Sequence, residues 1–123
     1  MTAKVLNVGQ CGMDGPAISR TLKTEFGCSV VDAESLQEAR DVTDTQDFDL
    51  ILVNRILDAT GEEGLRLIRD FAADNDRPPV MLVSNFADAQ EAAQKAGGVP
   101  GFGKNDLGRP PMLDAVRPYL TES

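Results

Sequence analysis

"FDLILVN", residues 48–54, decides the fold. Leu50, Ile51, Leu52 and Val53 follow one another without polar alternation, the pattern of a central strand covered on both faces in a parallel sheet. Outward from it, "KVLNV" (4–8) and "CSVVDA" (28–33) on one side, "PPVMLVSN" (78–85) and "VPGFGK" (99–104) on the other, read as four more short strands. Between them lie amphipathic stretches. "PAISRTLKTEF" (16–26) predicts a helix with Pro16 in its first turn and Gly27 as its stop. "ESLQEARDVTD" (34–44) places Leu36, Ala39 and Val42 on one face, and "GEEGLRLIRDFAADN" (61–75) aligns Leu65, Ile68 and Phe71 or Ala72. "ADAQEAAQKAGG" (87–98) predicts an alanine-rich helix ended by glycine, and "PPMLDAVRPYL" (110–120) a last helix that Pro118 kinks or frays. Five strands alternating with five helices predict an α/β, doubly wound, five-stranded parallel sheet with right-handed crossovers. Function in such a fold gathers beyond the carboxyl ends of the strands, here at residues 9–15, 54–61, 84–87 and 103–109.

Composition narrows the function. The 123 residues suffice for one domain over 1–123, with no linker or repeat interrupting them. A net charge of −8, with 12 scattered basic residues against 20 acidic ones, gives no concentrated positive surface, so no nucleic acid partner is expected. No apolar run approaches the ~20 residues of a membrane span, so no membrane partner is expected either. The opening residues lead straight into a strand without an export signal, and a cytoplasmic location follows as the expectation. There is no histidine, which removes the usual nucleophilic triads, histidine-based zinc sites and histidine phosphocarriers. Cys11 and Cys28 fall at opposite edges of the sheet and are expected as free thiols.

The loop "GQCGMDG" (9–15) raises a chemical question. Gly9, Gly12 and Gly15 recur at three-residue spacing before a helix, where free N–H groups can hold an anion. The dinucleotide pattern fails at Cys11, however, and the P-loop ending is absent, so a tight turn is the plainer reading. Cys11 near a helix start is a candidate reactive thiol. Asp14 and Asp58, with Gln10 and Glu62, are candidates for a displaced cation site of oxygen ligands; helix capping explains acidic residues in such places equally well.

Taken in order, "DLILVN", "PPVMLVSN" and "AGGVPGFGK" resemble the third strand, the fourth strand and the lysine approach of a CheY-like response-regulator receiver domain, over nearly the whole chain. The resemblance implies the flavodoxin-like (βα)5 receiver fold. In the family a histidine kinase's phosphoryl group passes to an aspartate ending the third strand. A divalent cation, held by that aspartate and by acidic residues after the first strand, neutralises the oxygens, and a serine or threonine and a lysine bind them afterwards. Ser84 and Lys104 stand at the last two positions, but Asn54 stands at the acceptor and Gly9 and Gln10 at the acidic pair. Gly64 comes about two residues late, Asn105 replaces the usual proline, and Phe102 precedes the lysine by two residues instead of three. The implied reading is a pseudo-receiver with a degenerate pocket of Gly9, Gln10, Asn54, Ser84 and Lys104, in which Lys104 faces an amide or swings towards Asp14 or Asp58. No catalysis, cofactor or bound metal is expected, with magnesium the cation the family would use. The expected function is a phosphorylation-independent signalling interaction module whose partner is another signalling protein or a parent protein's effector domain, or a second copy of itself. Two alternatives stand beside it. One is a receiver phosphorylated at a displaced acceptor such as Asp58; the other is a small-ligand or redox sensor using the Gly9–Gly15 loop and Cys11.

Overall fold

The computed structural model describes residues 2–74 and 76–121. Its five parallel strands are β1 (Lys4–Val8), β2 (Ser29–Ala33), β3 (Leu50–Asn54), β4 (Val80–Val83) and β5 (Val99–Phe102). They alternate with α1 (Asp14–Phe26), α2 (Leu36–Thr45), α3 (Gly64–Ala72), α4 (Ala87–Lys95) and α5 (Pro110–Leu120). The sheet order β2-β1-β3-β4-β5 puts β3 at the centre and the topological switch between β1 and β3.

Every residue of β3 and β4 is buried, which explains their unbroken apolar runs. Alternate residues feed two cores. Leu6, Val8, Ile51, Val53 and Leu82 pack against Leu36, Ala39, Leu67, Ile68, Phe71 and Ala93 of α2, α3 and α4. Val5, Leu50, Leu52, Met81 and Val83 pack against Ile18, Leu22, Met112, Val116 and Leu120 of α1 and α5. Phe102 lies in this second core, 4% exposed.

Element existence and order agree with the sequence reading, and the differences lie at ends. α1 starts two residues early because Cys11 accepts the N–H groups of Asp14, through Sγ (3.3 Å), and Gly15, through its carbonyl (2.9 Å). Helix α2 starts at Leu36 because Ser35 caps it, its Oγ accepting the Glu38 N–H at 3.0 Å. The 61–75 helix is shorter at both ends. Residues 58–60 form a turn closed by the Gly61 N–H on the Leu57 carbonyl, Gly61 takes φ +74°, and the chain returns so that Leu57 N–H reaches the Glu62 carbonyl and Glu63 bridges Ile56; helix begins only at Gly64. At the other end it stops at Ala72, and position 75 lies outside the described residues. Its buried stripe includes Leu67, while Leu65 is half-buried and Ala72 is exposed.

Among the remaining ends, α4 stops at Lys95 rather than 98. Strand β4 excludes Pro78 and Pro79, which have no N–H for a ladder. β5 ends at Phe102, and Lys104 opens a short 3-10 turn. Pro118 does not fray α5, which continues to Leu120. No helix among the described residues is long and apolar enough to cross a membrane.

Candidate functional site

The carboxyl ends of β1, β3, β4 and β5 bring Gly9, Asn54, Ser84 and Lys104 to one edge of the sheet. Asn54, 4% exposed, ends β3. Its Nδ2 donates to the Gly9 carbonyl at 3.0 Å, and the same carbonyl accepts the Asp58 N–H at 3.0 Å. Loops 9–15 and 54–61 are thus tied through one backbone oxygen. Gly9 has no room for a side chain: φ is +70°, and an added Cβ would lie 2.2 Å from Leu57 Cγ. Its glycine answers a backbone need. A neighbouring contact is as tight, since a Cβ on Gly64 would lie 2.1 Å from the Asn54 carbonyl oxygen.

Lys104 Nζ lies 3.5 Å from Asp14 Oδ2, with both side chains about a third exposed or less. The loop after β5 therefore reaches across to the first turn of α1. Ser84 is buried and its Oγ accepts the Phe86 N–H at 3.2 Å, a local turn bond, and Asn85 Oδ1 accepts the Asn105 N–H at 2.9 Å. Arg55 stacks over the exposed Phe86 ring, 5.0 Å from its centroid. Asn54, Arg55, Ile56, Ser84, Asn85, Phe86 and Lys104 line a cavity of about 130 Å³.

The proposed displaced cation cluster does not assemble. Asp14 is engaged by Lys104, and Asp58 is an exposed loop residue. Glu62 turns away: its Oε1 accepts the Leu36 N–H (3.2 Å) and the Thr60 hydroxyl (2.9 Å), capping α2 from another loop. The Leu36 bond first, then Thr60, lowers the Glu62 carboxyl below its ordinary range. Gln10 Oε1 is buried without a partner. Among the described residues no three His, Cys, Asp or Glu side chains gather closely enough to hold a metal ion. In the glycine loop the N–H groups of Gly9, Asp14 and Gly15 are taken by Ala33 O, Cys11 Sγ and Cys11 O. Both cysteines are free thiols, Cys11 partly exposed and Cys28 buried.

Two residues were not singled out by sequence. Gln90 Nε2 donates to the carbonyls of Leu82 (2.9 Å), Ser84 (3.1 Å) and Phe102 (3.2 Å), fastening α4 over the ends of β4 and β5. A polar residue in an alanine-rich helix carried no signal of this. Asn7, 1% exposed, is an amide inside a buried strand, and that oddity was the available signal.

The model of the response regulator receiver domain matches residues 14–100. Among curated proteins none matches. Solved structures share the fold. A Burkholderia pseudomallei response regulator, crystallised with a phosphorylated aspartic acid, calcium and citrate, superimposes with TM-score 0.74 at 19% identity, over 97% of this chain and 66% of that one. Vibrio cholerae chemotaxis response regulator CheY4 gives TM-score 0.71 at 17% identity, over 96% and 95%. NtrX from Brucella abortus gives 0.71 at 18% identity over 84% of this chain, which spans only 23% of NtrX.

Proposed function

The chain belongs to the response regulator receiver domain family, and from that premise we propose that it is a phosphorylation-independent member, a signalling module that acts through protein contacts without catalysing a reaction. Receiver domains work with other signalling proteins or with effector domains. The observation that carries this reading is the Asn54 amide donating to the Gly9 carbonyl. An aspartate accepts hydrogen bonds and attacks phosphorus through a free carboxylate oxygen. The Asn54 amide is not a comparable nucleophile, and its nitrogen is already committed to the backbone.

A divalent cation does not fit the residues present. Hard cations take charged oxygens, whereas Gly9 offers no side chain, Asn54 is neutral and Asp14 is paired with Lys104. That pair also supports the reading, since the lysine finds its carboxylate on α1 instead of on β3. We assign no phosphoryl step and no resident metal.

Intact-mass spectrometry after incubation with magnesium and acetyl phosphate tests this directly, beside a phosphorylatable receiver as control. No added phosphoryl mass is expected on this chain while the control gains it. Addition that disappears in Asp58→Asn would establish instead a displaced acceptor, the reading favoured by the Asp58 N–H lying on the same Gly9 carbonyl as Asn54.

A further inference from the structure

A second cavity, of about 580 Å³, opens between α1 and the β1–β2 side of the sheet, and neither Asn54 nor Lys104 lines it. Asn7, almost wholly buried, and Gln10 both line it, and the Oδ1 of one and the Oε1 of the other are buried without a hydrogen-bond partner. Their amide nitrogens face carbonyls, of Gly15 and Val8 respectively, each at 3.5 Å, the outer limit of a hydrogen bond. Reversing either amide would set two acceptors together, so the oxygens keep their places. Unmet buried acceptors are costly and uncommon. Both belong to residues that line one cavity, and an occupant that brings donors would satisfy them once the amides turn towards it.

The walls say more about that occupant. Arg20 and Lys23 stand on α1 at helical spacing. Asp32 is the register partner of Asn7 on β2, and Glu34 follows the strand. None of these four forms an ion pair among the described residues. Acceptors and carboxylates therefore belong to the sheet side and free cations to the helix side. A lone cation is opposed by Arg20 and Lys23, and a lone anion by Asp32 and Glu34. The volume lies within the range of small-molecule sites, about 300–1,000 Å³.

We propose that this cavity binds a small zwitterion, its primary ammonium group donating to Asn7 Oδ1, Gln10 Oε1 and the Asp32 carboxylate, and its anionic group meeting Arg20 and Lys23. None of these contacts involves Asn54, so the site stands whether or not the chain takes up phosphate.

The test is an NMR titration of the full chain, following the side-chain amides of Asn7 and Gln10. The probes are 4-aminobutanoate and O-phosphoethanolamine, which separate a carboxylate from a phosphate as the anion, with butylamine and butanoate as the half-molecules. Saturable shifts of both amides are expected with at least one zwitterion, and each half-molecule should bind about ten-fold more weakly or worse, as loss of a charged partner implies. Asn7→Val should weaken the zwitterion about ten-fold or more, read at Gln10, and raise the melting temperature of the ligand-free protein, because it removes an unmet acceptor. Lys23→Met, at an exposed helix position, should weaken the zwitterion about ten-fold and leave butylamine unchanged. Absence of saturable shifts with both zwitterions overturns the proposal. So does butylamine binding as tightly as they do, or a fall in melting temperature in Asn7→Val, which would make Asn7 a structural, water-bridged residue.

Discussion

Replacing Asn54 by aspartate, the substitution that would supply a carboxylate at the end of β3, should destabilise this protein at neutral pH. The Asn54 amide nitrogen donates to the Gly9 carbonyl over 3.0 Å at a site 4% exposed. An ionised carboxylate would put a second acceptor there. Gly9 keeps the Asp58 N–H, so loss of the Asn54 bond alone costs about 1 kcal/mol. Burying the carboxylate against a carbonyl adds about 2 kcal/mol or more. The sum, about 3 kcal/mol, corresponds to a fall of roughly 10 °C for a domain of this size. Burial and the facing carbonyl raise the introduced group's folded pKa above its unfolded value of about 3.9. The penalty is then complete above the raised folded pKa and shrinks as pH falls towards about 3.9, where the neutral carboxyl can itself donate to Gly9. Lys104 can reduce the cost only by leaving Asp14, so the Lys104→Met background isolates the local term. Urea unfolding of both backgrounds across pH 4 to 8 is the assay. Equal stability of Asn54 and Asn54→Asp in the Lys104→Met background, at every pH, would refute the reasoning.

Gly9→Ala should cost more than about 3 kcal/mol, because it combines a left-handed backbone with a Cβ 2.2 Å from Leu57 Cγ; an unchanged urea midpoint would count against that packing. Glu62→Gln should cost stability at neutral pH and nothing in strong acid. The Glu62 carboxyl is lowered in the folded state, so its contribution is present above the unfolded value and lost as pH falls through the folded one. Melting temperatures of the two proteins converging only below about pH 4 would bear this out, and parallel curves would not.

The central strands were legible because burial on both faces leaves no polar letter between Leu50 and Val53 or between Val80 and Val83. Helix ends were less so, since distant partners set them. Periodicity could not show that the Gly64 N–H is held by the Arg55 carbonyl, nor that Cys11 sulfur would start α1 at Asp14. Sequence placed Gly9, Asn54, Ser84 and Lys104 at one edge correctly, because parallel order dictates which loops meet. It could not pair them. Lys104 chose Asp14 through side-chain reach, Asn54 chose a backbone carbonyl that has no letter of its own, and Gly9 was fixed by contact with Leu57, 48 positions away (57 − 9).

These pairings bear on how such a module could respond to a signal. A switch needs an event that interacts differently with two conformations. At the end of β3 the side chain is a neutral amide, and Asn54 donates to the Gly9 carbonyl. On the reading proposed above, the change comes from a ligand or partner. The Gly9 carbonyl joins Asn54 and Asp58, and the next residue, Gln10, carries one of the two unmet oxygens in the α1 cavity. An occupant that fixes Gln10 therefore restrains the residue adjoining the point where the β1 and β3 loops are tied. Coupling by that route predicts that zwitterion binding slows hydrogen exchange at the Asp58 N–H, which sits on the opposite side of the Gly9 carbonyl from the cavity's own residues in the chain of contacts.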